Sequence, residues 1–396
     1  MLTTLHENLS LLEDLQEELD RRKVDGLLRQ RRLLDSPQAE YIVANGKNYL
    51  SFCSNDYLGL ANHPSLIAAM QAAAGDSGVG SGASNLITGH HRYHDALEKK
   101  LAKFVDMPAT LVFSTGYMAN IGVISALMGR DDAVFCDKLN HACLNDGAIL
   151  SRANFQRFAH NDVAALEKLL KSSTAKQKLI AVDAVFSMDG DIAPIPDYLR
   201  LCEQYDAYLY VDDAHGFGVL GEHGKGCLSH FNIKSPRIIM MATLGKAAGV
   251  AGAFVAGEQV VIDYLVQNAR SYVYSTPAPP ALSATLIQSV TLIEQGDDLR
   301  AHLQHLITTL KASLQLKNWV LMPSDTAVQP LVIGGNHAAV TVSEHLQKLD
   351  ILVPAIRPPT VPKNTARLRI SLSAAHSEQD VITLASALND AESKLT

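Results

Sequence analysis

The chain has no CxxC pair, and its cysteines (Cys53, Cys136, Cys143, Cys202 and Cys227) are odd in number. That argues against a disulfide framework or a zinc site and for reduced thiols in a cytoplasmic protein. Positive charge is in deficit too: 34 Lys and Arg stand against 41 Asp and Glu, a formal net charge of −7. A mildly acidic chain lacks the basic footprint of a phosphate-backbone partner, so nucleic acid is not expected. Walker A and GxSxG sequences are missing, which removes P-loop NTPases and α/β-hydrolases. The segment from Met1 to Gln30 lacks the apolar core of a signal peptide. One long apolar run does occur, Ile238 to Ala256, but Lys246 sits at its middle. A lysine at a bilayer centre costs about 3 kcal/mol, so two short buried strands around a special lysine are expected there, and no membrane partner.

What the 396 residues do contain is an ordinary globular composition, 47% apolar, without repeats or a long linker, enough for a large core. Leu5, Leu9, Leu12, Leu15 and Leu19 recur at helical spacing between Leu2 and Gln30, predicting an amphipathic helix that lies on something. Apolar runs then alternate with helical patterns. The runs are Thr110–Ser114, Ala133–Asp137, Leu179–Phe186, Tyr208–Asp212, Ile238–Ala242 and Gly252–Ala256. Helices are expected at Ala119–Met128, Val163–Lys171 and Ile195–Gln204. The fold class is therefore α/β, with a mainly parallel sheet covered on both faces. The expected organisation is an N-terminal helix and arm over residues 1–48, a large domain over 49–283 and a small C-terminal α+β domain over 284–396.

Two glycine patterns mislead. Gly216-Phe217-Gly218-Val219-Leu220-Gly221 follows a strand and matches the dinucleotide fingerprint, but loop residues follow it where a helix is required. Gly78-Val79-Gly80-Ser81-Gly82-Ala83 follows a helix, not a strand. His90, His91 and His94 have no carboxylate or cysteine at ligand spacing, so surface or cap roles are expected and no metal.

In a parallel sheet ligands gather at the carboxyl ends of the strands, and three strand ends carry chemistry. Thr115-Gly116-Tyr117 leads from a strand into a helix, which makes either a phosphate cradle or an ordinary N-cap. Asp212-Asp213-Ala214-His215 places two acids at the end of an apolar strand, where either a protonated ring nitrogen or an arginine would compensate them. Lys246 is enclosed by small and apolar residues, which lowers its pKa and frees its amine; a snorkelling surface lysine is the bland alternative. A phosphate cradle, a pyridinium partner and a reactive lysine together describe a pyridoxal 5′-phosphate (PLP) site.

From about Leu28 onward the chain resembles the α-oxoamine synthases of PLP fold type I, the aspartate-aminotransferase-like fold. The matching segments begin with Ser54-Asn55-Asp56-Tyr57-Leu58-Gly59-Leu60, the loop from Gly80 to Gly89, and Phe186-Ser187-Met188-Asp189-Gly190. They continue with the runs from Asp212 to Gly218 and from Thr243 to Lys246, and Tyr274-Ser275-Thr276. The last are the runs from Ile356 to Pro362 and from Thr365 to Arg369. The resemblance implies that Lys246 links to the cofactor and then acts as base, that Asp212 holds the pyridine nitrogen protonated, that His215 bonds the ring hydroxyl and that His141 stacks on the ring. It places Gly116, Tyr117 and Thr243 at the phosphate, Ser187 near the cofactor, and Thr276 at the phosphate of a second subunit in a homodimer. Arg369, with Asn55, would clamp the amino-acid carboxylate, and Arg29 and Thr360 would meet the acyl donor. The implied reaction is the decarboxylative condensation of L-alanine with a pimeloyl thioester, on coenzyme A or a carrier protein, in biotin biosynthesis. The alternatives are a sister reaction (glycine with an acetyl or succinyl thioester, or a longer acyl thioester giving an α-aminoketone), an aminotransferase, or a non-catalytic homologue. The chain departs from the family pattern at Ala247-Ala248-Gly249 and at His90-His91, which bears on the shape of the substrate pocket.

Overall fold

The structure, a computed structural model, describes residues 10–395. Helix α1 spans Ser10–Val24, and Leu5 and Leu9 lie outside the described residues. None of α1 is buried; Leu12, Leu15 and Leu19 stay exposed, so the expected amphipathic stripe has no partner among the described residues. Strands β1 (Tyr41–Ala44) and β2 (Lys47–Ser51) form a hairpin, followed by helices α2 (Pro64–Ser77) and α3 (Arg92–Phe104).

The central sheet holds β3 (Ala109–Phe113), β4 (Ala133–Asp137), β5 (Asn154–Phe158), β6 (Lys178–Asp183), β7 (Tyr208–Asp212), β8 (Ile238–Thr243) and β9 (Ala253–Gly257). Their order is β3-β9-β8-β7-β6-β4-β5. The strands run parallel except β9, which is antiparallel to both its neighbours. β9 follows β8 through a short loop with no crossover helix, and so returns antiparallel. Six strands stand where apolar runs predicted them; β5, whose Asn154, Gln156 and Arg157 leave it too polar to read as a run, was missed. Residues on these strands alternate between two cores: Phe135, Val182, Val211 and Met240 face one, and Val134, Ala181, Tyr210 and Met241 face the other. Helices α4 (Gly116–Leu127), α5 (Ala142–Ser151), α6 (Val163–Ser172) and α7 (Ile195–Tyr205) cover the faces.

Helix Pro280–Glu294 packs on α2 and α3. Beyond it lies a second sheet of β10 (Val320–Leu321), β11 (Val328–Gly334), β13 (Ala355–Ile356) and β14 (Ala366–Ser371), and β12 (Ile351–Leu352) pairs in parallel with β2. The N-terminal hairpin is thus tied to the C-terminal part. No described helix is long and apolar enough to cross a membrane.

Candidate active site

Because β3, β4, β6, β7 and β8 point the same way, their carboxyl ends bring Gly116, His141, Asp183, Asp212 and Lys246 to one edge of the sheet. The Lys246 amine lies 2.8 Å from His215 Nε2, and the Tyr57 hydroxyl lies 2.6 Å from His215 Nδ1. Tyr57 reaches on to Asn55 Oδ1 at 3.2 Å and receives Arg369 at 3.4 Å. Arg369 also donates to Asn55 Oδ1 (3.1 Å), the Ser187 carbonyl (2.6 Å) and Ser371 Oγ (2.7 Å). The network is satisfied when Lys246 donates to Nε2 and a neutral His215 donates from Nδ1 to Tyr57, a tautomer assigned from the partners. Burial, reinforced by Lys246, Arg369 and His141, holds His215 well below the usual histidine range, consistent with a neutral ring.

Arg369 is buried and, among the described residues, has no carboxylate within salt-bridge reach. A buried guanidinium in that state is a ready receptor for a substrate carboxylate. Burial lowers the Lys246 amine to about 8, with Asp212 opposing the shift. The amine is therefore partly neutral near physiological pH, and no snorkelling surface role describes it.

Among the described residues Asp212 meets no arginine. It accepts from Asn120 Nδ2 at 2.7 Å and from the Ala214 amide at 3.0 Å. Asp213 faces away and takes the Cys227 amide at 2.7 Å, and burial pushes its carboxyl up to about 8. His141 caps α5, and its amide donates to Asp183 Oδ2 at 2.8 Å. Burial and the neighbouring Asp212 push Asp183 well above the carboxylate range. At the start of α4, Thr115 Oγ1 accepts from the Met118 amide, while the Gly116 and Tyr117 amides have no intrahelical acceptor. A Cβ on Gly116 would come within 3.9 Å of Thr243 Cβ, so these two adjoin.

Two expected groups lie apart from this centre. Arg29 donates to Thr360 at 3.0 Å across a cleft of about 770 Å³ that also holds Arg31, Arg32 and Arg357. Its wall includes Pro354, whose carbonyl accepts the Arg369 amide at 3.1 Å, so the cleft backs onto the strand that carries Arg369. Thr276 is exposed and lines a small pocket with Ser114 and Asn85. The histidine cluster caps a helix: His91 starts α3, and His94 accepts from the His91 amide. No metal-holding group occurs among the described residues. Sequence reading gave no role to Tyr57, Asn120 and Tyr210. Only Tyr57 left a signal, inside the Ser54–Leu60 motif.

Residues 47–388 match the family of class I and II aminotransferases. The 8-amino-7-oxononanoate synthase of Methylobacillus flagellatus is 59% identical over 382 residues, covering 96% of each chain. This chain is an α-oxoamine synthase of that family. The synthase of the same name from Nitrosospira multiformis is 58% identical to it over 378 residues. Among solved structures, a serine palmitoyltransferase from S. paucimobilis with bound PLP and myriocin superposes with a TM-score of 0.92 at 26% identity, covering 98% of this α-oxoamine synthase and 99% of that chain. An 8-amino-7-oxononanoate synthase from Francisella tularensis superposes at 0.76 with 29% identity, covering 88% of this chain and 98% of that one.

The α-oxoamine synthase fits pyridoxal phosphate on its own donor set. Among the described residues it offers a depressed lysine amine, a carboxylate with no cationic side chain in salt-bridge reach, a neutral histidine beside the lysine and helix N-terminal amides without an intrahelical acceptor, all at one sheet edge.

Proposed function

We propose that this chain condenses L-alanine with a pimeloyl thioester, releasing 8-amino-7-oxononanoate, carbon dioxide and the free thiol. The observation that carries this reading is the hydrogen-bonded line Lys246–His215–Tyr57–Arg369, which sets a reactive amine and an unpaired carboxylate receptor in one site. The choice of substrates rests on the two curated relatives above, named 8-amino-7-oxononanoate synthase at 58–59% identity.

When bound, pyridoxal phosphate supplies a carbonyl carbon that captures an amine and a ring that draws electron density from the amino acid's α-carbon. Asp212 would hold the proton on the ring nitrogen, held in turn by Asn120 and the Ala214 amide. Gly116, Tyr117 and Thr243 would hold the phosphate, and His141 would cover the ring face. Ser187, through its carbonyl, orients Arg369, which with Asn55 would bind the alanine carboxylate. The Lys246 amine would take the α-proton, and the neutral His215 beside it accepts a hydrogen bond without adding positive charge. A carbon–carbon bond then forms from the α-carbon to the acyl carbonyl carbon as the thiolate leaves; the carboxylate departs as carbon dioxide, and the electron pair left on the α-carbon takes up a proton, for which the protonated Lys246 amine would be the donor. Arg29 and Thr360 would engage the acyl donor, on coenzyme A or a carrier protein. Thr276 would complete the phosphate site of a partner subunit in a cytoplasmic homodimer.

The test is thiol release by the PLP-loaded protein, offered L-alanine or glycine against pimeloyl, acetyl and succinyl thioesters. Release with alanine and the pimeloyl donor alone is expected. Release with glycine and a short acyl group would move the protein to a sister reaction, and no release with any pair would overturn the proposal.

A further inference from the structure

Side chains on a strand alternate, so Tyr210 and Asp212 leave β7 on the same face, beneath α4 and α5. Asn120, on α4, is fully buried against that face. The Tyr210 hydroxyl donates to Asn120 Oδ1 at 2.7 Å, and Asn120 Nδ2 donates to Asp212 Oδ2 at 2.7 Å. A carboxylate only accepts, so the amide nitrogen must face Asp212, and the phenol then holds the amide oxygen. Nδ2 also lies 2.9 Å from Cys143 Sγ, which is 2.7 Å from His141 Nδ1. Among the described residues Asn120 is the one side chain that donates to Asp212. It also stands four residues, one helical turn, after Gly116 at the helix start.

We propose that Asn120 is a positioning residue that fixes the orientation of Asp212 toward the cofactor's ring nitrogen, with Tyr210 setting the amide. This rests on the reading that the site takes pyridoxal phosphate. One helix then couples both ends of the cofactor, presenting amides to the phosphate and, one turn later, the group that aims the carboxylate. Cys143 carries the same network to His141, and burial beside Asp212 pushes its thiol up, so the sulfur stays protonated.

The experiment compares Asn120→Ala and Tyr210→Phe with the parent protein. It measures the affinity of the apoprotein for PLP, the visible absorption of the holoenzyme across pH, and kcat and KM for alanine. Asn120→Ala is expected to weaken PLP roughly tenfold or more, the scale of one hydrogen bond to a charged group. It should also shift the pH-dependent absorption and lower kcat, while KM for alanine stays within about twofold. Tyr210→Phe keeps the ring packing, so it reports even if the alanine variant fails to fold. A smaller loss in the same direction is expected for it. Unchanged PLP affinity and absorption in Tyr210→Phe and in any folded Asn120 variant would overturn the proposal. If the parent protein itself did not bind PLP, the underlying reading would be wrong instead.

Discussion

The Lys246 amine is lowered to about 8 because burial disfavours its charged form more than Asp212 favours it. The neutral amine is the form that attacks a carbonyl. With the folded value depressed, neutral amine accumulates as pH rises through about 8, well below the 10.5 of a solvated lysine. The rate at which apoprotein captures PLP should therefore climb between about pH 7 and 9 and then level off. Asp212→Asn removes the opposing charge, so its midpoint should fall below that of the parent. A rate that keeps rising toward pH 10 would show an ordinary lysine. The same shift bears on stability: between about 8 and 10.5 the unfolded chain binds the extra proton, so this group's contribution grows with pH across that window.

At the scale of elements, the glycine run after β7 shows why a motif needs its context. Gly216 and Gly218 match a dinucleotide fingerprint, yet here they allow close packing. A Cβ on Gly216 would lie 2.1 Å from Asp213 Oδ1; Gly218 sits at φ +87, and its Cβ would meet that of Ala247 at 2.6 Å. The turn thus presses against the lysine loop and the buried Asp213. Gly216→Ala should destabilise the protein by about 1–3 kcal/mol, the usual scale of overpacking. Gly75→Ala, in α2 with nothing within 4 Å of the added methyl, should instead gain roughly 0.5–1 kcal/mol. Denaturant midpoints check both, and a neutral Gly216→Ala would contradict the contact. Elements with strong periodicity were legible beforehand: α6 and α7 begin where the helical pattern does, and β4 and β7 match their apolar runs residue for residue. The polar β5 and the reversed β9 were not, since polarity hides a strand and strand direction is a matter of connection.

At the scale of the whole molecule, the loop around Val79 and Ile87 adjoins the segment of Tyr274 and Thr276. Ser81 donates to the Ala278 carbonyl at 2.9 Å, and Asn85 and Thr276 line one pocket. Val79, Ile87 and Tyr274 are 82%, 74% and 73% exposed, an apolar set that a second copy would cover. If the protein is the proposed homodimer, Ile87→Arg should shift it toward monomers in sedimentation and weaken PLP binding with it. An Ile87→Arg protein that remained dimeric would place the interface elsewhere.

By itself the sequence determined the alternating α/β order and pointed to three strand ends that carry chemistry, with Asp212 and Lys246 among them, while His215 and Arg369 came from the family resemblance. The order and the strand ends follow from local periodicity and from residue types whose chemistry is narrow. Only the tertiary structure decided that Tyr57 joins His215 to Arg369, that Asn120 and Tyr210 hold Asp212, and that Arg29 and Thr360 meet across a separate cleft. Each of those contacts links residues tens to hundreds of positions apart, and local pattern carries no information about which distant side chains a fold brings within hydrogen-bond reach.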